Sequence, residues 1–128
     1  MATFAEQFLG GYLGSCWDGL ALHLYDDGVF AQASRIRSTM VLKGFGSKSI
    51  WATEAGRPTN APCGTGNDTE VAQDRMVQDF VTRWRTYPWA GPMFWFLTKD
   101  VLPSNTFGLV CASGTHKLAF GRFQALAG

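Results

Sequence analysis

Four side chains in this sequence are candidates for chemistry: Glu54, Tyr25, His23 and Trp95. Glu54 closes the stretch Ile50-Trp51-Ala52-Thr53-Glu54, and Ala55-Gly56-Arg57-Pro58-Thr59 follows at once. Ile50, Trp51 and Thr53 are good strand formers, while Gly56 and Pro58 send the chain into a loop. A carboxylate at that end of a strand stands where an α/β barrel keeps its reacting groups. To stay ionised it needs hydrogen-bond donors around it, and Tyr25 on a neighbouring strand could supply one. His23 and Tyr25 are two residues apart, so they share a face near the end of their own strand. Plainer readings stand beside these. Glu54 could pair with Arg57, His23 could be a satisfied core histidine, and Tyr25 and Trp95 could be packing aromatics.

The elements that must carry these residues follow from periodicity. Phe4, Phe8, Leu9, Tyr12 and Leu13 recur at helical spacing, giving a helix from Thr3 to about Leu13 that Gly14-Ser15 can end. Trp17 to Tyr25 is an apolar run of strand length, closed by the turn Asp26-Asp27-Gly28. A second helix runs from about Phe30 to Leu42, with Lys43-Gly44 after it. The Glu54 strand comes next, then a long polar loop from Ala55 to Gly66 that is either a binding loop or a plain insertion. Asn67 and Glu70 have capping-box spacing and open a third helix through Val71, Met76, Phe80, Val81 and Trp84. Gly91-Pro92 leads into the strand Met93 to Thr98, which ends at Lys99-Asp100; a loop with Pro103, Ser104 and Asn105 follows. Phe107 to Val110 is a short extended piece before a Ser113-Gly114 turn, and Leu118 to Leu126 is a last helix. Helices and strands alternate, and the strands are apolar on both faces, as parallel strands covered by helices are. The expected fold is α/β, with about three parallel strands and flanking helices in one domain, 1–128. Three βα units of ~30 residues fit part of a TIM barrel, which spends ~250 residues on eight.

Composition narrows the function classes. With 46% hydrophobic and 16% charged residues among 128, the chain can form a core. A net charge of +1 without a basic block gives no nucleic-acid footprint. No apolar run approaches the ~18 residues of a membrane span, and Met1 to Glu6 lacks the basic start of a secretory signal. The three cysteines, Cys16, Cys63 and Cys111, form neither a disulfide framework nor a zinc spacing and are read as packing or incidental residues. No metal or organic cofactor is implied. Trp51 and Trp84 read as core, Glu70 as a helix cap and Arg37 as a solvated side chain. Asp18 lies at the wrong end of its strand; Asp26, Asp27 and Asp100 follow strands at the catalytic end, and turn chemistry explains them equally well.

In order, three motifs resemble clan A glycoside hydrolases, best matched by cellulase-like family 5 and xylosidase-like family 39. Trp17-Asp18-Gly19-Leu20-Ala21-Leu22-His23-Leu24-Tyr25 resembles the sixth barrel strand, where a His-x-Tyr faces the sugar. Ile50 to Gly56 resembles the seventh, whose terminal Glu is the nucleophile. Trp89-Ala90-Gly91-Pro92-Met93-Phe94-Trp95-Phe96, with Asp100, resembles the eighth, whose Trp is a stacking platform. Phe107-Gly108-Leu109, Ser113-Gly114 and Lys117 resemble the segment after it, so the resemblance runs from about Phe4 to Phe123. It implies Glu54 as nucleophile, Tyr25 orienting it, His23 and Trp95 contacting the sugar, and a poly- or oligosaccharide as partner. A retaining glycosidase also needs a second carboxyl ~5 Å from the first. In the family it follows an Asn on the fourth strand, and no Asn-Glu pair occurs here. The resemblance therefore implies a chain that is inactive alone and needs an N-terminal half-barrel chain. A non-catalytic carbohydrate-binding or self-associating module is the alternative.

Overall fold

The structure, a computed structural model, describes residues 4–11, 16–25, 28–101 and 105–127. The expected helix residues Thr3, Tyr12 and Leu13, the Gly14-Ser15 stop, the Asp26-Asp27 turn, and Pro103 and Ser104 lie outside that set. The elements are α1 (Phe4–Gly11), β1 (Gly19–Tyr25), α2 (Val29–Leu42), β2 (Ser49–Gly56), α3 (Asp68–Trp84), β3 (Ala90–Trp95) and α4 (Leu118–Ala127). The three strands form one parallel sheet in the order β1-β2-β3, with helices flanking it, as in part of a βα barrel. Parallel neighbours need long crossovers, and α2 and α3 are those crossovers.

One face of the sheet makes the core. Leu22, Leu24, Ile50, Ala52 and Ala55 are buried there against Ala33, Ile36 and Met40 of α2 and Met76, Phe80 and Trp84 of α3. Each fully buried large side chain contributes about 1.5–3 kcal/mol. A smaller cluster of Val77, Leu109 and Ala119, with Phe120 and Phe123 against it, seats α4 on α3. Among the described residues no helix covers the other face. Ala21 and His23 are exposed, Trp51 is 41% exposed and Phe94 52% exposed. Apolar residues on both sides of the strands thus meet helices on one side only. Trp84 is core, with its indole N–H on the Gly91 carbonyl at 2.9 Å, whereas Trp51, read as core, is not. Its ring lies over Gly19 and Gly91 of the two neighbouring strands; a Cβ at Gly91 would come within 2.4 Å of it.

Several other expectations are corrected by long-range contacts. Cys63 and Cys111 are joined in a disulfide, their Cα atoms 5.9 Å apart. The third strand begins at Ala90 and ends at Trp95, three residues earlier than the hydrophobic run suggests. Pro92 sits inside it, tolerated because β3 has a strand on one side only. Arg37 is half-buried and clamps the α2–β2 turn through the Lys48 and Gly46 carbonyls at 2.7 and 2.5 Å. Asp100 is no turn residue. It is buried with Lys117, Oδ1 to Nζ at 2.8 Å, and also accepts the Gly108 N–H at 2.8 Å. Gly108 has to be glycine, since a Cβ there would meet the Asp100 nitrogen at 2.4 Å and the Lys99 carbonyl carbon at 2.5 Å. Asn67 does cap α3, accepting from the Thr69 and Glu70 N–H groups. Glu70 turns outward from its own helix: it is 1% exposed and receives the N–H groups of Gly64 and Gly66.

Candidate active site

Strand phase puts Glu54 on the open face. In a regular strand, side chains alternate, so with Ala52 in the core the carboxylate of residue 54 would also point into the core. The pairing prevents this. Leu22 lies opposite Ala52, but His23 lies opposite Glu54, so Thr53 is an extra residue in β2. Such a bulge re-aims the residues after it. Thr53 spans the gap, its hydroxyl 3.4 Å from the Leu22 carbonyl. Beyond it Glu54 shares the uncovered side with His23, and Ala55 returns to the core beside Leu24.

Three of the four candidate residues meet at one oxygen. The Tyr25 hydroxyl donates a short hydrogen bond to Glu54 Oε2, and His23 Nδ1 is 3.3 Å from the same atom. Among the described residues these are the contacts of Glu54. Its other oxygen, Oε1, is committed to nothing among the described residues. The Glu54 side chain is 32% exposed and that of His23 60%, so the pair is reachable from solvent. Tyr25 is held from the far side by Phe96 and Phe107, whose rings lie edge-on at 5.7 and 5.4 Å. Gly56 gives these rings their room, as a Cβ there would meet Phe107 at 3.0 Å. The phenol's pKa is raised well above its ordinary value, first by burial, then by the hydrogen bond to Glu54 and by that carboxylate's charge.

A pH prediction follows. Because its folded pKa is raised, Tyr25 contributes stability that is fully present below the unfolded value of about 10 and is lost as pH rises through the folded one. Tyrosinate absorbance of the folded protein, compared with Tyr25→Phe, is expected to show one phenol ionising later than free tyrosine. In Glu54→Gln that phenol should move part of the way back, since burial persists. Ionisation of Tyr25 at the ordinary pH in both proteins would contradict the contact.

Trp95 is placed apart from this group. It lies opposite Ala55, packs half-buried against both core clusters, and donates its indole N–H to the Phe107 carbonyl at 2.9 Å. Among the described residues it makes no ring contact with His23 or Tyr25. The aromatics beside the carboxylate are instead Phe96 and Phe107, which sequence reasoning did not single out. Phe96 is Trp95's neighbour in one hydrophobic run. Which of them faces Tyr25 depends on irregular β2–β3 register, with shifts on both sides of Ala52. No local pattern marks that. Among the described residues, no group of three or more His, Cys, Asp or Glu could hold a metal ion.

A carboxylate at the C-terminal end of a parallel βα sheet, gripped by residues of the next strand, is the arrangement of a barrel enzyme's rim. Solved structures place the fold more narrowly. A GH2 beta-galacturonidase from Eisenbergiella tayi superposes with a TM-score of 0.70 at 15% identity, covering 85% of this chain and 23% of that one. A GH39 beta-xylosidase from Caulobacter crescentus gives 0.68 at 18% identity, over 97% of this chain and 29% of that one. The beta-glucuronidase of Faecalibacterium prausnitzii gives 0.61 at 17% identity, over 86% and 22%. The chain spans less than a third of the length of each of these glycoside hydrolases. At such identities the likeness is one of fold: this chain has the architecture of part of a βα barrel, the part that it matches in these glycoside hydrolases. No protein-family model and no curated protein matches the sequence.

Proposed function

We propose that this chain carries the nucleophile part of a retaining glycoside hydrolase active site, as strands six to eight of a clan A barrel. The observation that carries the reading is Glu54 itself, with Oε2 held by Tyr25 and His23 and Oε1 uncommitted. In this reading Oε1 attacks the anomeric carbon, the bond to the leaving oxygen breaks, and a glycosyl ester forms that water later hydrolyses. Tyr25 keeps the carboxylate oriented and ionised. His23, mostly exposed, is free to take a sugar hydroxyl. The proton for the leaving oxygen has to come from a second carboxyl, and the natural source is an N-terminal half barrel pairing with the free edge of β1. The substrate class is a β-linked pyranoside, by analogy with the xylosidase and uronidases of like fold.

The test is reconstitution. A polypeptide supplying the remaining strands, with an Asn-Glu strand end, is mixed or co-expressed with this chain and aryl β-glycoside hydrolysis is measured. Activity is expected only with both parts, and Glu54→Gln should lower it on the order of 10⁴-fold or more, as loss of a nucleophile does. Full rate with Glu54→Gln would remove the assignment. The uncovered sheet face, with Trp51 and Phe94 exposed, favours one other reading: a carbohydrate-binding or assembly module without catalysis. That module would bind sugar on this face through Trp51 and Phe94 and be indifferent to Glu54→Gln.

A further inference from the structure

The buried stripe of α3, which runs through Met76, Val77, Phe80 and Trp84, begins with a polar side chain, Gln73, that is fully buried. A buried amide among apolar side chains is costly unless it is hydrogen-bonded. The donor end of this one is fully used. Its Nε2 lies 2.9 Å from the Arg57 carbonyl, 3.3 Å from that of Phe107 and 3.2 Å from that of Gly108. The acceptor end is not, since Oε1 has no partner among the described residues. Resting on the reading of Glu54 above, we infer that Gln73 is a positioning residue for that carboxylate, acting through Phe107 and Tyr25.

The route is short. Arg57 follows Glu54 by three residues, where the chain leaves β2. Gly56, between them, lies against both rings: a Cβ there would meet Phe107 Cδ1 at 3.0 Å and Tyr25 Cε1 at 3.6 Å. The Phe107 ring stands edge-on to Tyr25 at 5.4 Å, and Tyr25 donates to Glu54 Oε2. One amide nitrogen thus holds the backbone that leaves the carboxylate to the backbone that carries the ring behind its donor. Phe96, the other ring on Tyr25, needs no such hold. Its own N–H is bonded to the Ala55 carbonyl at 2.8 Å, whereas Phe107 belongs to no strand.

Stability alone does not account for a glutamine at this place. An acceptor buried without a donor works against the fold. The β2–α3 loop and the segment after β3 are also joined in other ways, by the Thr59 N–H on the Thr106 carbonyl at 3.1 Å and by the Cys63–Cys111 bond. Those ties end at residues 106 and 111, on either side of Phe107. The carbonyls of 107 and 108 are left to Gln73, with the Trp95 indole N–H sharing the first at 2.9 Å. Holding them from inside a packed helix sets the Tyr25–Glu54 geometry during folding. A reacting group kept so by a buried supporting residue needs no further ordering when substrate arrives.

The test uses the intact, disulfide-bonded chain and reads the Tyr25 phenol by tyrosinate absorbance against Tyr25→Phe. Gln73→Met keeps the bulk and loses the donor, while Gln73→Asn keeps the amide and withdraws it by one carbon. In both, the phenol should hold its proton about tenfold less tightly than in the unsubstituted protein, the factor that one net hydrogen bond confers. Phe107→Leu, which leaves the backbone carbonyls in place, should give the same loss. Combined with Gln73→Met it should add little, because both act on one path. Val77→Ala, one turn further along α3 and fully buried, should lower stability and leave the phenol as it is. A phenol unmoved by both Gln73 variants, or moved as far by Val77→Ala, would overturn the positioning role and leave the reading of Glu54 standing. A phenol that Glu54→Gln does not move would instead remove the contact on which the role and that reading both rest.

Discussion

Lys117→Met is expected to destabilise the protein by about 3–5 kcal/mol, the range for breaking a buried ion pair from one side. Lys117 and Asp100 have side-chain exposures of 0% and 3%. The ammonium also donates to the Thr106 carbonyl at 3.0 Å. Its removal leaves Asp100 charged in the interior with the Gly108 N–H as its protein donor, while the Thr106 carbonyl keeps the Thr59 N–H at 3.1 Å. A domain of this kind has about 5–15 kcal/mol in total, so the variant should lose a large share of it. The informative comparison is Lys117→Met/Asp100→Asn. Asparagine still accepts from Gly108 but carries no charge, so the double variant should be more stable than the single one. Urea unfolding of both proteins decides the matter. A single variant as stable as the double would mean that the buried charge carries no penalty, contrary to the geometry.

Breaking the Cys63–Cys111 bond is expected to cost about as much. The bond closes a loop across a sequence separation of 48 residues, for which chain entropy alone predicts about 4 kcal/mol. Reductant, or Cys63→Ala/Cys111→Ala, should lower the unfolding midpoint accordingly. No change on reduction would show that the bond is not formed in solution. The two effects should not add. Cys111 and Lys117 belong to the same segment after β3, and loosening one frees the other, so the combined loss should fall short of the sum.

Both predictions rest on contacts the sequence did not disclose. The α/β order, the helix starts and the Asn67 cap were legible because each is written in local periodicity or in residues three apart. That Tyr25 and Glu54 lie on neighbouring strand ends was legible too, whereas the bulge at Thr53 that puts both on one face was not. Cys63 with Cys111, and Asp100 with Lys117, depend on how the segment after β3 folds back, and nothing near any of the four residues announces it. Gly91-Pro92 misled for a different reason. The pair is a turn signal in isolation, yet here it lies inside an edge strand, where the missing N–H costs nothing. Trp51 was read as core because a closed sheet would cover it, while this sheet is covered on one side.

The bulge at Thr53 has a consequence of another kind. What turns Glu54 toward Tyr25 is that the residue before it is left out of the pairing with β1, and the identity of that residue matters far less. Thr53→Val or Thr53→Ser should leave the Tyr25 titration nearly as it is. Deleting the residue should restore unbroken pairing with β1 and keep the carboxylate opposite His23 on the open side, because neighbours along a strand face opposite ways and Ala52 lies in the core. The reactive geometry is in that sense a matter of pairing: one residue left out of the ladder keeps the acid on the open side of the sheet.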